Sequence, residues 1–138
     1  MIATHRLVIS NQLSALREMS EWLAESARQL GASEDQVFNF DLCANEAVTN
    51  TISYAYPESG LHEIALELSG QPDHLTLTIE DDGIAYNPLE KPEHTQPANL
   101  GEAEIGGLGI DLIRQFMSEC RYSRLQDKNR LTLILHSS

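Results

Sequence analysis

The sequence predicts an α+β domain: a two-layer α/β sandwich whose mixed, mostly antiparallel sheet carries helices on one face. Two pairs of alternating segments read as hairpins, which require antiparallel pairing. Each helical segment carries a single apolar stripe, so it has one side to bury and belongs to a layer against a sheet. The 138 residues fit one core, and a single domain over residues 1–138 is expected.

Taken in order, "THRLVIS" alternates and reads as a first strand, with Leu7 and Ile9 on one side. "NQLSALREMSEWLAESARQL" places Leu13, Leu16, Leu23, Ala27 and Leu30 at helical steps, and Gly31 is the stop. Ser33 and Gln36 form a capping-box pattern that opens a second helix, which runs through "VFNFDLCANEAVTNTISYAY" and ends before Pro57. "HEIALELSG" and "DHLTLTIE" make a hairpin whose one apolar face carries Ile64, Leu66, Leu68, Leu75, Leu77 and Ile79. A long loop over residues 83–106 leads through "GGLG" into a third helix, "IDLIRQFMSEC". "RYSRLQ" and "RLTLILH" close the chain as two strands around a "DKN" turn.

Composition narrows the function classes. A net charge of −12 with nine Lys and Arg argues against a nucleic-acid backbone as partner. No apolar run reaches the roughly 20 residues of a membrane span, and "MIATHRLVIS" has no signal-peptide pattern, so a cytoplasmic location is expected. Cys43 and Cys120 form no metal-binding cluster and read as plain thiols. The histidines have no nucleophile at triad spacing, and neither a P-loop nor a protein-kinase H-R-D motif occurs.

Three features remain. Glu46 and Asn50 share one helix face a turn apart, beside apolar Ala47, Val48 and Ile52. They are either the wet edge of the helix or a carboxylate paired with an amide suited to a hard cation. "EDDG" ends a strand, and alternation turns Asp81 toward the helices and Asp82 away. This is either an acidic turn with Gly83 at positive φ, or a core-facing carboxylate awaiting a ligand amino group. A glycine-ended loop before a helix brings backbone amides to the positive helix end, where an anion can sit.

Together "NEAVTN", "EDDGIAYNP" and "GGLGIDLIRQFMSE" resemble the N-box, the D-x-G box and the second glycine box of the GHKL ATPases, in order and spacing. With the short length and closing "CRYSRLQDKNRLTLIL", the chain resembles the anti-sigma-factor serine/threonine kinases. That resemblance implies the Bergerat ATP-binding fold, with ATP and Mg2+ as nucleotide and metal. It implies that Asn50 coordinates the magnesium and that Glu46 is the general base. Asp81 would bind the adenine amino group, with Gly83 allowing close approach. Gly107, Leu108 and Gly109 would lie against the phosphates below a lid, and Thr132 near the adenine. Two positions depart from the family pattern: Tyr54 stands where a histidine is frequent, and Ala85 replaces the second glycine of D-x-G-x-G. The implied activity is phosphorylation of a STAS-domain anti-sigma antagonist, sequestration of a sigma factor, or both, by a homodimer. The rival expectation is an ATP-binding interaction module that acts by holding its partner.

Overall fold

The computed structural model describes residues 3–56, 60–90 and 108–136. β1 (Ala3–Ser10) leads through a short 3-10 turn (Leu13–Ala15) into α1 (Leu16–Gln29), followed by α2 (Glu34–Tyr54). β2 (Glu63–Gln71) and β3 (His74–Asp81) come next, then α3 (Leu108–Phe116), β4 (Glu119–Leu125) and β5 (Lys128–His136). The strands form one five-stranded sheet in the order β1-β2-β3-β5-β4, and all four pairings are antiparallel.

Local sequence explains both junctions around α2. Gly31 takes φ +94°, and Ala32 N–H bonds the Ala27 carbonyl while Gly31 N–H bonds that of Arg28. This is a Schellman stop, which favours glycine because a Cβ is strained at positive φ. Two residues later the Ser33 hydroxyl accepts from Gln36 N–H, and the Gln36 side chain accepts from Ser33 N–H. The reciprocal cap and the acidic Glu34 and Asp35 in the first turn start a helix of 21 residues.

The core lies between the helices and one face of the sheet. Met19, Leu23 and Ala27 of α1 and Phe40, Ala44, Ala47 and Val48 of α2 are fully buried, as are Ile64, Leu66, Leu68 and Leu77. The α1 stripe thus runs through Met19; Leu13 falls in the 3-10 turn and is exposed. Cys43 is buried against the Leu112 carbonyl, and burial pushes its thiol up to about 12, with the Glu46 charge adding to the effect.

Two further boundaries differ from the sequence reading. α3 stops at Phe116, and Glu119 and Cys120 belong to β4, opposite Ile134 and Leu133. The last hairpin turns at Gln126 and Asp127, both at positive φ (51° and 64°), so Leu125 pairs with Lys128. That primed two-residue turn matches the twist of the strands. Lys128 and Asn129, assigned above to the turn, are therefore strand residues. The shift brings Asn129 opposite Asp81.

Candidate nucleotide site

Asp81 ends β3 on the inner face and is buried, whereas Asp82 is exposed, as strand alternation predicts. The Asp81 Oδ1 accepts from Gly83 N–H and from Asn129 Nδ2, each at 2.9 Å. Asn129 is itself buried and its amide is fully used. Nδ2 also donates to the Ile84 carbonyl at 2.7 Å, while Oδ1 accepts from Tyr86 N–H at 3.1 Å and from the Tyr122 hydroxyl at 2.5 Å. Burial raises the Asp81 carboxyl above its ordinary range, against the pull of the Asn129 and Gly83 hydrogen bonds. Both protein donors go to one oxygen, which orients the other as an acceptor.

Gly83 has a steric reason that a turn alone would not supply. Its φ is not positive, and a Cβ there would lie 2.4 Å from the Ala55 carbonyl oxygen at the end of α2. Ile84 N–H donates to that same carbonyl at 2.9 Å. Close approach here is to the helix end, which corrects the reading of a positive-φ turn. Arg124 donates to the Gly83 carbonyl at 2.7 Å. On the outer side, the Tyr56 hydroxyl donates to Asp82 at 2.8 Å and His62, stacked on Tyr56, approaches the same carboxylate at 3.3 Å. The Tyr56 hydrogen bond holds Asp82 below the usual carboxylate range.

The α2 face with Glu46, Asn50 and Tyr54 is tied to this turn at its C-terminal end. The Tyr54 ring stacks on Tyr86, with centroids 5.4 Å apart. Tyr86 is in turn the residue whose N–H meets Asn129. Asn50 is 5% exposed, and its Nδ2 is buried with no hydrogen-bond partner among the described residues. Glu46, one turn earlier, is half-buried. An orphaned buried amide costs about 1–3 kcal/mol unless a ligand satisfies it. An amide that offers a hard oxygen and a free donor fits a metal-bound phosphate, and a neighbouring carboxylate completes an oxygen-rich set. Magnesium with a nucleotide phosphate therefore fits these residues.

Thr132 is not brought to the site. It pairs with Thr78 on β3 and Arg121 on β4, three rungs or about 10 Å along the strand from Asn129. Its parity also sets it on the face opposite to Asp81, because Asn129, Leu131, Leu133 and Leu135 point inward. The β5 side chain beside Asp81 is Asn129, which the sequence reading missed by assigning it to a turn. The alternation Asn129, Leu131, Leu133, Leu135 is the signal that could have found it. Gly107, and the proposed lid from residue 91 onward, lie outside the described residues; Leu108 and Gly109 open α3. The described start of that segment is a 3-10 turn (Pro88–Glu90), whose Leu89 carbonyl accepts from Arg114 of α3.

Comparisons with known proteins identify the family. Residues 9–135 match the histidine kinase-like ATPase domain. The chain is 32% identical over 135 residues to the serine/threonine-protein kinase BtrW of Bordetella bronchiseptica, covering 98% of this chain and 95% of that protein. It is 25% identical over 103 residues to the serine-protein kinase RsbW of Bacillus subtilis, covering 72% of this chain and 64% of the relative. Against the anti-sigma F factor of Oceanobacillus iheyensis, identity is 27% over 95 residues, covering 69% and 65%. The histidine kinase domain of the blue-light activated kinase from Erythrobacter litoralis shares the fold, with a TM-score of 0.54 and 16% identity over 89% of this chain and 59% of that one. With a family match that spans both the Asp81 turn and the Asn50 helix, this chain belongs to the histidine kinase-like ATPase family.

Proposed function

We propose that the protein is an ATP- and Mg2+-dependent serine/threonine kinase of the anti-sigma regulatory type. Its substrate would be a serine or threonine of a STAS-domain anti-sigma antagonist, and its working form a homodimer. The observation that carries the reading is the buried Asp81 carboxylate, whose Oδ1 is occupied by Gly83 N–H and Asn129 Nδ2. Its other oxygen is left to accept a hydrogen bond from the adenine amino group. The likeness to a serine/threonine-protein kinase over 98% of the chain supports the activity.

In this reading Asp81 binds the base and Asn50 holds the metal at the phosphates. Bound magnesium would supply charge neutralisation on the transferring phosphoryl group. Glu46 would accept the proton of the attacking serine or threonine hydroxyl as the hydroxyl oxygen bonds to the γ-phosphorus and the bond from that phosphorus to the β,γ-bridging oxygen breaks, releasing ADP. Such proton acceptance typically contributes about 10²–10⁴-fold. Tyr54, stacked on Tyr86, holds the end of α2 against the base side of the site.

A second reading is favoured by the relative named an anti-sigma F factor. Here the protein acts by holding a sigma factor, ATP orders the site, and phosphotransfer is dispensable. Glu46→Ala separates the two when assayed with labelled ATP and the STAS protein encoded nearest to this one. Phosphotransfer lost by roughly 10²-fold or more with ATP binding kept supports the kinase. Partner regulation unchanged in that variant supports the holding role. Wild-type protein that transfers no label under Mg2+ overturns the kinase reading.

A further inference from the structure

α1 and α2 lie side by side over the sheet, and their outward sides leave a groove of about 870 Å³. Ala24 of α1 and Val37 and Phe38 of α2 give it an apolar strip. Phe38 is 64% exposed while its neighbour Val37 is 6% exposed, so the ring stands on the helix surface instead of joining the core. Buried aromatic anchors carry much of the energy of protein interfaces, and an exposed ring on a groove is suited to that use.

Charge decides what the groove can accept. Arg28 and Glu34 satisfy each other through two 2.9 Å hydrogen bonds across the helix junction. The remaining charged lining is Glu21, Glu25 and Asp41, all acidic; Glu21 also meets Arg17 at 3.3 Å, an exposed pair of little strength that a partner cation can replace. A second copy of this chain, with net charge −12, would set carboxylates against carboxylates. The length of α1 that lines the groove, from Ser20 to Gln29, spans about 14 Å, or some two and a half helical turns.

We propose that this groove docks a basic amphipathic helix of a partner protein, with an apolar side chain seated on Phe38 and Lys or Arg residues set against Glu21, Glu25 and Asp41. Helix-in-groove recognition combines an apolar anchor for affinity with flanking charge for orientation and partner choice. The inference does not depend on phosphotransfer, because none of these residues belongs to the candidate nucleotide site.

The test titrates the 138-residue protein with a synthetic helical peptide of about 18 residues, long enough to hold a helix. The peptide carries a leucine on one face flanked by lysines, and a control carries glutamates in their place. Amide resonances of Ser20–Gln29 and Glu34–Asp41 are expected to move with the basic peptide and stay still with the acidic one. Phe38→Ala, and separately the pair Glu21→Lys and Glu25→Lys, are expected to weaken binding roughly tenfold or more. Added salt should weaken the complex without abolishing it, because the anchor is apolar. An exposed position such as Phe38 can be truncated without loss of the fold, which an unchanged thermal unfolding curve verifies. Three results would overturn the proposal. One is the absence of shifts in α1 and α2. Another is equal affinity of wild type and Phe38→Ala, which means diffuse charge attraction. The third is a dimer in sedimentation that Phe38→Ala dissociates, which means a second copy covers the groove.

Discussion

Asp81 and Asn129 form the buried polar pair on which the candidate site turns, and each carries a distinct expectation. The Asp81 carboxyl is raised above 3.8 because burial disfavours its charged form. Ionised Asp81 therefore costs the folded state stability at neutral pH. The cost is present above the folded pKa and disappears as pH falls through it toward the unfolded value. Asp81→Asn should accordingly unfold no earlier than wild type at pH 7, with the difference shrinking toward pH 4 in pH-dependent urea melts. The same variant should lose roughly 10–100-fold in ATP affinity by calorimetry, as expected for a charge-assisted hydrogen bond of about 1.5–3 kcal/mol. Asn129→Ala should behave in the opposite sense. It strips donors from Asp81 and Ile84 and an acceptor from Tyr86 and Tyr122. A loss of about 2–3 kcal/mol in the urea unfolding free energy is expected, together with weaker ATP binding.

At the scale of elements, the decisive contact is between the end of α2 and the turn after β3. α2 ends with Ala55 as its cap, and the Ala55 carbonyl that would otherwise be orphaned accepts from Ile84 N–H. Only a residue without a Cβ fits beneath it, since a Cβ on Gly83 would sit 2.4 Å from that oxygen. Gly83→Ala should therefore cost roughly 1–3 kcal/mol by forcing the two elements apart. Because Gly83 N–H also holds Asp81, nucleotide affinity should fall with it. A melting curve and an ATP titration on the same preparation check both effects. The end of α1 and the start of α2 were readable because caps are local. Ser33 with Gln36 and Gly31 announce their roles within a few residues. The end of α3 was misread because "MSEC" continues an apolar periodicity, whereas pairing of Glu119 and Cys120 with β5 claims them for the sheet.

For the whole molecule, the sheet pairs Asp81 with Asn129, and α2, which carries Asn50, meets the same turn through Ala55 and Tyr54; under the proposed function, a ligand that bridges them should stabilise the entire fold. Mg2+ with ATP at about 100-fold over its dissociation constant should add about 2.7 kcal/mol, or roughly 10 °C in melting temperature. Chelating the metal, or Asn50→Ala, should remove most of that shift in a thermal denaturation assay. The sequence by itself determined the layer architecture, the inward direction of Asp81 and the shared face of Glu46 and Asn50. Each follows from a period of two or 3.6 residues along a few turns of chain. Only the tertiary structure decided that Asn129, and not Thr132, meets Asp81, that Gly83 serves the helix end, and that Tyr54 stacks on Tyr86. Those contacts join residues far apart in the chain. Asn129 is free to join β5 because the β4–β5 hairpin turns earlier, at Gln126 and Asp127, two non-glycine residues taking positive φ in a turn that composition does not announce.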